Sequence, residues 1–115
     1  MDLAVVSVGD INQNSTSLVR HLITAREHRE LLDLGCVGDV MCNFLDAEGR
    51  LVPHPLNNRV MSIDLDTLHT AGHIVLATGG EFRAAAIHAA IKRIGCHTLI
   101  TDELAARALL RLARQ

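Results

Sequence analysis

The chain has 115 residues, of which 49% are hydrophobic and 21% charged, which is typical of one folded domain rather than of a disordered chain. Its formal net charge of −2 argues against autonomous binding of nucleic acid, because such domains present a basic face. Only 2% of the residues are aromatic, with no Trp and no Tyr, so a polar ligand has to be held by charge and hydrogen bonds rather than by ring stacking.

The cysteines and the amino terminus indicate a cytoplasmic protein. Cys36, Cys42 and Cys96 form no CxxC pair and are interpreted as free thiols in a reducing cytosol. The opening "MDLAVVSVGD" has no basic leader, and its apolar run is too short for a signal peptide or a membrane span. We therefore expect no membrane partner.

The first third of the chain predicts a strand, a polar loop and one or two helices. "LAVVSVG" (residues 3–9) is rich in β-branched residues and ends in glycine, which is typical of a fully buried parallel strand. Asn14 or Ser15 is a candidate N-cap for helical spacing over residues 17–33. Because a buried strand needs neighbours on both sides, we expect the chain to begin in the middle of a larger domain.

The middle third predicts an antiparallel hairpin. A strand through Val40 to Leu45 precedes the turn "DAEG", after which "RLVPHP" returns. "RVMSIDL" (residues 59–65) predicts another short strand, and "DTLHTAG" a single helical turn.

The last third alternates strands and helices. "HIVLAT" and "HTLIT" predict buried strands, and the helix from Glu81 to Ile94 places Ile87, Ile91 and Ile94 on one face. Asp102 is a candidate N-cap for the final helix. The whole pattern predicts an α/β fold, in which a mostly parallel sheet has flanking helices and an antiparallel hairpin insert.

The segment "TGGEFR" is a candidate anion site. Gly79 and Gly80 follow a strand and precede a helix, which is where open α/β sheets bind ligands. The helix N-terminus offers N–H groups and partial positive charge to a phosphate, and Arg83 adds a guanidinium. Glu81 opposes an anion unless its side chain points away. The alternative is a tight turn with a solvated Arg83.

The segment "GCVGDV" is a second candidate. Asp39 follows Gly38 at the beginning of a strand, where its carboxylate can accept two sugar hydroxyls or act as a general base. The alternative is an ordinary surface carboxylate.

His69 and His73 are four residues apart, but a glycine and a turn lie between them, so no metal pair is predicted. With GxxxxGK and GxGxxG motifs also absent, we expect no metal and no cofactor.

Four segments in order resemble the carboxyl-terminal part of the effector-binding domain of the SorC family of bacterial sugar-responsive transcription regulators: "GCVGDV…FLDAEGR", "HPLNNRVMSIDLDTL", "IVLATGGEFRAAAIHAAI" and "TLITDELAARALL". The resemblance covers the chain from about Val5 to Leu110. It implies a fold similar to that of ribose-5-phosphate isomerase and glucosamine-6-phosphate deaminase, a phosphorylated sugar as effector, and assembly into dimers or tetramers.

The resemblance also implies that residues 1–115 are a partial effector domain. The helix-turn-helix of the family is missing, and so is the first part of the effector domain, with its glycine/threonine loop that cradles a phosphate. We therefore expect no direct contact with DNA from this chain and an expressed fragment or truncated gene product.

Six ligand-binding positions follow from the resemblance: Gly9, Asp39, Arg59, Gly79, Gly80 and Arg83. Asp39 stands where the family has an acid that contacts effector hydroxyls, and Arg83 where many members have a lysine that contacts phosphate. Gly9 matches a glycine that ends a strand lining the pocket, and Gly79 and Gly80 match a glycine pair. Arginine in place of lysine keeps the charge but changes its geometry. Cys42 occupies a place often filled by a small residue.

Three functions are compatible with these residues. The first is a regulatory module that binds a sugar phosphate without turnover. The second is a sugar-phosphate isomerase or deaminase with Asp39 as base, although no second acid or base stands at a convincing position. The third is an interaction protein that self-associates through an uncovered sheet edge, and we expect a dimer.

Overall fold

The computed structural model describes residues 2–11, 23–58 and 64–114. The predicted cap at Asn14 or Ser15, most of the strand in "RVMSIDL", and Arg59 lie outside the described residues. The strands are β1 (Leu3–Val6), β2 (Val8–Asp10), β3 (Cys36–Val40), β4 (Asn43–Asp46), β5 (His73–Ala77) and β6 (Thr98–Ile100). The helices are α1 (Ala25–Asp33), α2 (Leu65–His69), α3 (Ala84–Ile94) and α4 (Glu103–Ala113), with 3-10 turns at Pro55–Asn58 and Glu81–Arg83.

A parallel sheet in the order β1-β5-β6 forms one half of the fold. Val5 lies opposite Val75, and Val75 lies opposite Thr98, so the carboxyl ends of all three strands meet at one edge. One face of this sheet packs against the helices, and it contributes Ala4, Val6, Ile74 and Leu76 to the main core. The predicted α/β class is confirmed.

The predicted single strand over residues 3–9 is wrong in two respects. The chain changes sheets at Ser7, so that β1 belongs to the parallel sheet and β2 to a second, antiparallel sheet. In β1 only alternate residues are buried, and Leu3 and Val5 are exposed. The reason is that the described helices cover one face of the sheet, whereas the apolar run suggested two covered faces.

The second sheet has the order β2-β3-β4 and is antiparallel throughout. The predicted strand through Val40 to Leu45 is wrong, because the chain turns at Met41 and Cys42, which have φ angles of 52° and 67°. Neither residue is the glycine or asparagine that normally marks such a turn, so the sequence carried no signal for it. The predicted hairpin turn at "DAEG" is confirmed, since the Gly49 N–H donates to the carbonyl of Asp46.

Helix α3 joins the two sheets, because it contacts β2, β3 and β4 and also packs in the core of the parallel sheet. Its apolar face is as predicted: Ile87 and Ile94 are fully buried and Ile91 is partly buried. The predicted start at Glu81 corresponds to a 3-10 turn, and the α-helix itself begins at Ala84. It ends at Gly95, whose φ of 64° is the left-handed conformation common after helices.

A smaller apolar cluster attaches α1 to the antiparallel sheet through Ile11, Leu31, Cys36, Phe44, Val52 and Leu56. Helix α1 begins with a capping box, in which Thr24 and Glu27 each bond the backbone N–H of the other. Over residues 2–11, 23–58 and 64–114, none of the helices has the length and apolarity needed to cross a membrane.

Candidate functional site at the carboxyl edge of the parallel sheet

Three segments meet beyond the carboxyl ends of the parallel strands. Strand β2 follows β1, the 3-10 turn Glu81–Arg83 follows β5, and α4 follows β6. The 3-10 turn contacts both β2 and α4. This edge is where open α/β sheets bind ligands, and five of the six predicted site residues lie in or beside these segments.

Asp39 lies directly against Gly9. The two residues are opposite each other in the β2–β3 ladder, and a Cβ built on Gly9 would lie 2.4 Å from Asp39 Oδ1. The backbone N–H of Cys42 donates to Asp39 Oδ2 at 3.0 Å. Asp39 is only 7% exposed, and its carboxyl group occupies the space that the absent side chain of Gly9 leaves free.

Asp39 has a raised pKa, and the causes identify its neighbours. Burial raises the pKa most, the hydrogen bond from the Cys42 N–H lowers it, the charge of Asp10 raises it, and the charge of Arg83 lowers it. Asp39 is therefore a buried carboxyl group within electrostatic range of a second acid and a guanidinium. Such a group can accept hydrogen bonds from ligand hydroxyls, which do not require a formal charge on the ligand.

Arg83 lies beside Asp10. Arg83 Nε is 3.5 Å from Asp10 Oδ1, and the arginine side chain is 22% exposed while Asp10 is 3% exposed. Arg83 therefore connects the buried acids with the surface. The structure thus brings Gly9, Asp39 and Arg83 together.

The paired-glycine corner contains a carboxylate of the chain itself. The N–H of Gly80 donates to Asp102 Oδ2 at 2.6 Å, and a Cβ on Gly79 would lie 2.6 Å from the same oxygen. Asp102 Oδ1 accepts from the N–H of Ala105, which confirms the predicted N-cap of α4. Both hydrogen bonds lower the pKa of Asp102, the bond from Ala105 more strongly. The Gly80 N–H therefore lies at the corner predicted to bind an external anion, but it donates to a carboxylate of the same chain.

Glu81 turns away from this corner. Its carboxylate lies 3.4 Å from an Nη atom of Arg111 in α4. The acid that was expected to oppose an anion at "TGGEFR" is therefore engaged on the side of α4.

Three polar residues at this edge were missed by sequence reasoning: Asp10, Thr78 and Thr101. The polar run "DINQNSTS" predicts a loop that begins at Asp10, but Asp10 is the last residue of β2 and is buried. The hydroxyls of Thr78 and Thr101 are buried and have no hydrogen-bond partner among residues 2–11, 23–58 and 64–114. The signal available in the sequence was position alone, since each threonine directly follows a strand.

The histidines and cysteines of the described residues take structural positions. His69 bonds the carbonyl of Ile94, and the rings of His73 and His97 stack with centroids 5.0 Å apart. In the part of the chain that the structure describes, no three His, Cys, Asp or Glu side chains form a group suited to a metal ion. All three cysteines are free thiols, and burial raises the pKa of Cys36 to about 11.

Comparison with known proteins shows the family to which the chain belongs. Residues 1–111 match the family model described as "Putative sugar-binding domain". The chain is 37% identical over 115 residues to the transcriptional regulator LsrR of Enterobacter sp. strain 638, covering 97% of this chain and 36% of that protein. The chain thus spans little more than a third of that relative's length.

Solved structures show the same fold. A transcriptional regulator from Streptococcus pneumoniae TIGR4 superposes with a TM-score of 0.89 at 24% identity, covering 100% of this chain and 44% of the other. The full-length sorbitol operon regulator SorC from Klebsiella pneumoniae superposes with a TM-score of 0.81 at 23% identity, covering 97% of this chain and 36% of the other. Together with the family model and the LsrR relative, these structures confirm the resemblance to the SorC family.

Proposed function

Because the chain belongs to this family of sugar-binding domains of transcription regulators, we propose that it supplies part of an effector site for a phosphorylated sugar. The observation that carries the proposal is the convergence of Asp39 and Arg83 at the carboxyl edge of the parallel sheet. An acid that accepts hydrogen bonds and a guanidinium that donates them are complementary to a polyhydroxylated ligand.

Binding without turnover is the role that we propose. In a regulator, a ligand acts by differential affinity for two states of the protein, so the site needs acceptors and donors but no nucleophile. The competing role is a sugar-phosphate isomerase with Asp39 as base, for which a raised carboxyl pKa is suitable. Turnover of ribose 5-phosphate or glucosamine 6-phosphate by the chain would favour the enzyme.

We also propose that the chain self-associates. Leu3, Val5 and Ile100 are exposed on the parallel sheet, on the opposite side from the buried Ala4 and Val6. Exposed apolar side chains on one face of a sheet favour association. Light scattering over a hundredfold range of protein concentration is expected to show a dimer, and a strictly monomeric chain would contradict this.

The experiment for the effector site measures ligand binding to the 115-residue chain by ligand-observed NMR, which detects weak binding. The probes are ribose, ribose 5-phosphate and glucosamine 6-phosphate at millimolar concentration. We expect at least one to bind, and Asp39→Asn to weaken it about tenfold, because a hydrogen bond to a charged acceptor contributes about 1.5–3 kcal/mol.

The matched control is Asp66→Asn. This substitution changes an exposed acid whose ion-pair partner is Arg93. It is expected to leave affinity unchanged. Binding of none of the three probes, or an equal effect of the two asparagine variants, would overturn the proposed site.

A further inference from the structure

Asp10 is a buried acid next to the proposed effector site. It ends β2 and lies opposite Gly38 in the ladder, one residue after the Gly9–Asp39 pair. Its charge acts on Asp39, so the two carboxyl groups belong to one electrostatic cluster. Both acids are more than nine-tenths buried. A buried acid pair is costly unless a cation accompanies it, and Arg83 forms an ion pair with Asp10.

The contact between Arg83 and Asp10 leaves donors of the guanidinium available. The 3.5 Å separation of Nε and Oδ1 is longer than the charge-assisted hydrogen bond of about 2.8 Å. Arg83 Nε is itself buried and donates no hydrogen bond within the described ranges. The guanidinium carbon also lies 5.3 Å from the ring centroid of Phe82. The carboxylate of Asp10 and the ring of Phe82 therefore restrain Arg83, although Arg83 Nε–H donates no hydrogen bond to the described residues.

We propose that Asp10 is a positioning residue, which holds the Arg83 guanidinium beside Asp39 so that the two side chains grip the hydroxyl-bearing part of the effector. This inference rests on the proposed function. Asp10 and Asp39 both place a carboxyl group near Arg83, and each carboxylate repels a phosphate dianion. A hydroxyl, in contrast, donates to Asp39 and accepts from Arg83. The phosphate group of the effector is therefore bound away from this cluster, in contrast to the phosphate contact that the resemblance implies for Arg83.

A double-mutant cycle tests whether Asp10 acts through Arg83. The dissociation constants of ribose and ribose 5-phosphate are measured for the chain, for Asp10→Asn, for Arg83→Lys and for the double variant. We expect each single variant to weaken ribose binding about tenfold and the double variant to be no weaker than Arg83→Lys alone, because coupled residues are not additive. A merely structural role of Asp10 gives independent losses, about a hundredfold together.

The comparison of the two ligands tests the place of the phosphate. We expect Asp10→Asn to weaken ribose and ribose 5-phosphate by the same factor. If Asp10→Asn leaves ribose unchanged and tightens ribose 5-phosphate, the phosphate lies at this cluster and the inference is wrong, while the proposed function stands. A wild-type chain that binds neither probe refutes the proposed function and this inference with it.

A measurement on the wild-type chain covers the case in which Asp10→Asn does not fold. The Nε–H proton of a positioned Arg83 is expected to exchange slowly with water and to shift when ribose is added. The exposed Arg107 is the internal reference, because its side chain is on the surface of α4. Exchange of the Arg83 proton as fast as that of Arg107 would overturn the positioning role.

Discussion

Two aspartates near the same sheet edge differ in almost every physical respect. Asp102 is exposed, both of its oxygens accept backbone N–H groups, and these bonds lower its pKa. Asp39 is buried beside a second acid, and burial raises its pKa. Asp102 has hydrogen bonds to both oxygens supplied by the chain, whereas Asp39 is buried within electrostatic range of a second acid and a guanidinium.

The difference indicates which carboxylate is available to a ligand. Asp102 caps α4 and fills the glycine corner, so an external anion at Gly80 would have to displace it. Asp39 has hydrogen-bonding capacity beyond the bond from Cys42, because an ionised carboxylate accepts several hydrogen bonds. This comparison is tested by substitutions that separately change the charge, the packing space or the hydrogen bonds around each aspartate.

The largest effect is expected from Arg83→Ala. Removal of the cation takes away the ion-pair partner of the buried Asp10 and a favourable charge near the buried Asp39, which costs about 3–5 kcal/mol in the free energy of unfolding. Urea unfolding at neutral pH measures the loss. The control Arg107→Ala removes an exposed ion pair with Glu103 and is expected to cost about 0.5 kcal/mol or less. Equal losses in the two variants would mean that Arg83 does not balance the buried acids.

Gly9→Ala is expected to have the next largest effect. The new methyl group would lie 2.4 Å from Asp39 Oδ1, and the buried carboxylate has to move, at a cost of about 1–3 kcal/mol. The same unfolding measurement applies, together with the affinity for ribose, which should fall. Gly72→Ala is the matched control, since its nearest neighbour would lie 3.2 Å away. A Gly9→Ala chain as stable as Gly72→Ala would contradict the described position of Asp39.

The pH dependence of stability is expected to have opposite signs for the two aspartates. The folded-state pKa of Asp39 lies above 3.8, so the wild-type chain loses stability as pH rises from that value through the raised pKa, and Asp39→Asn escapes this loss. The folded-state pKa of Asp102 lies below 3.8, so its contribution is complete above that value and is lost as pH falls.

Unfolding curves of wild type, Asp39→Asn and Asp102→Asn between about pH 3 and pH 8 test this prediction. The stability of Asp39→Asn relative to wild type should rise with pH, and that of Asp102→Asn should fall. Two differences of the same sign would remove the contrast between the two carboxylates.

The smallest effect is expected from Thr78→Val. The Thr78 hydroxyl is buried and has no hydrogen-bond partner within the described residues, so an apolar replacement of the same shape should stabilise the chain by about 1 kcal/mol or less. The readout is the midpoint of thermal unfolding. Thr101→Val is the parallel case on the neighbouring strand, and a clear loss of stability in both variants would show that the hydroxyls are bonded.

Local patterns predicted those parts of the molecule that local forces determine. Strand β5, the apolar face of α3 and the cap at Asp102 follow from alternation, helical spacing and side-chain chemistry within a few residues. The turn at Met41 and Cys42 was missed because its residue types do not favour left-handed backbone.

The site was predicted only in part, because topology assembles it. Asp39 and Arg83 were identified from the resemblance, whereas Asp10 joins them only because the chain changes sheets at Ser7. Gly80 and Asp102 are 22 residues apart and meet because β5 and β6 are parallel neighbours. A sequence pattern contains no information on such pairs until the strand order is known.

The turn at Met41 and Cys42 links the backbone of Cys42 to the occupancy of the site. Two consecutive non-glycine residues in left-handed backbone are intrinsically unfavourable, by roughly 1–2 kcal/mol each, and the bond from the Cys42 amide to Asp39 helps to hold them there. A sugar hydroxyl that draws Asp39 away withdraws that support. The backbone amide signal of Cys42 should therefore register occupancy of the site without any added label.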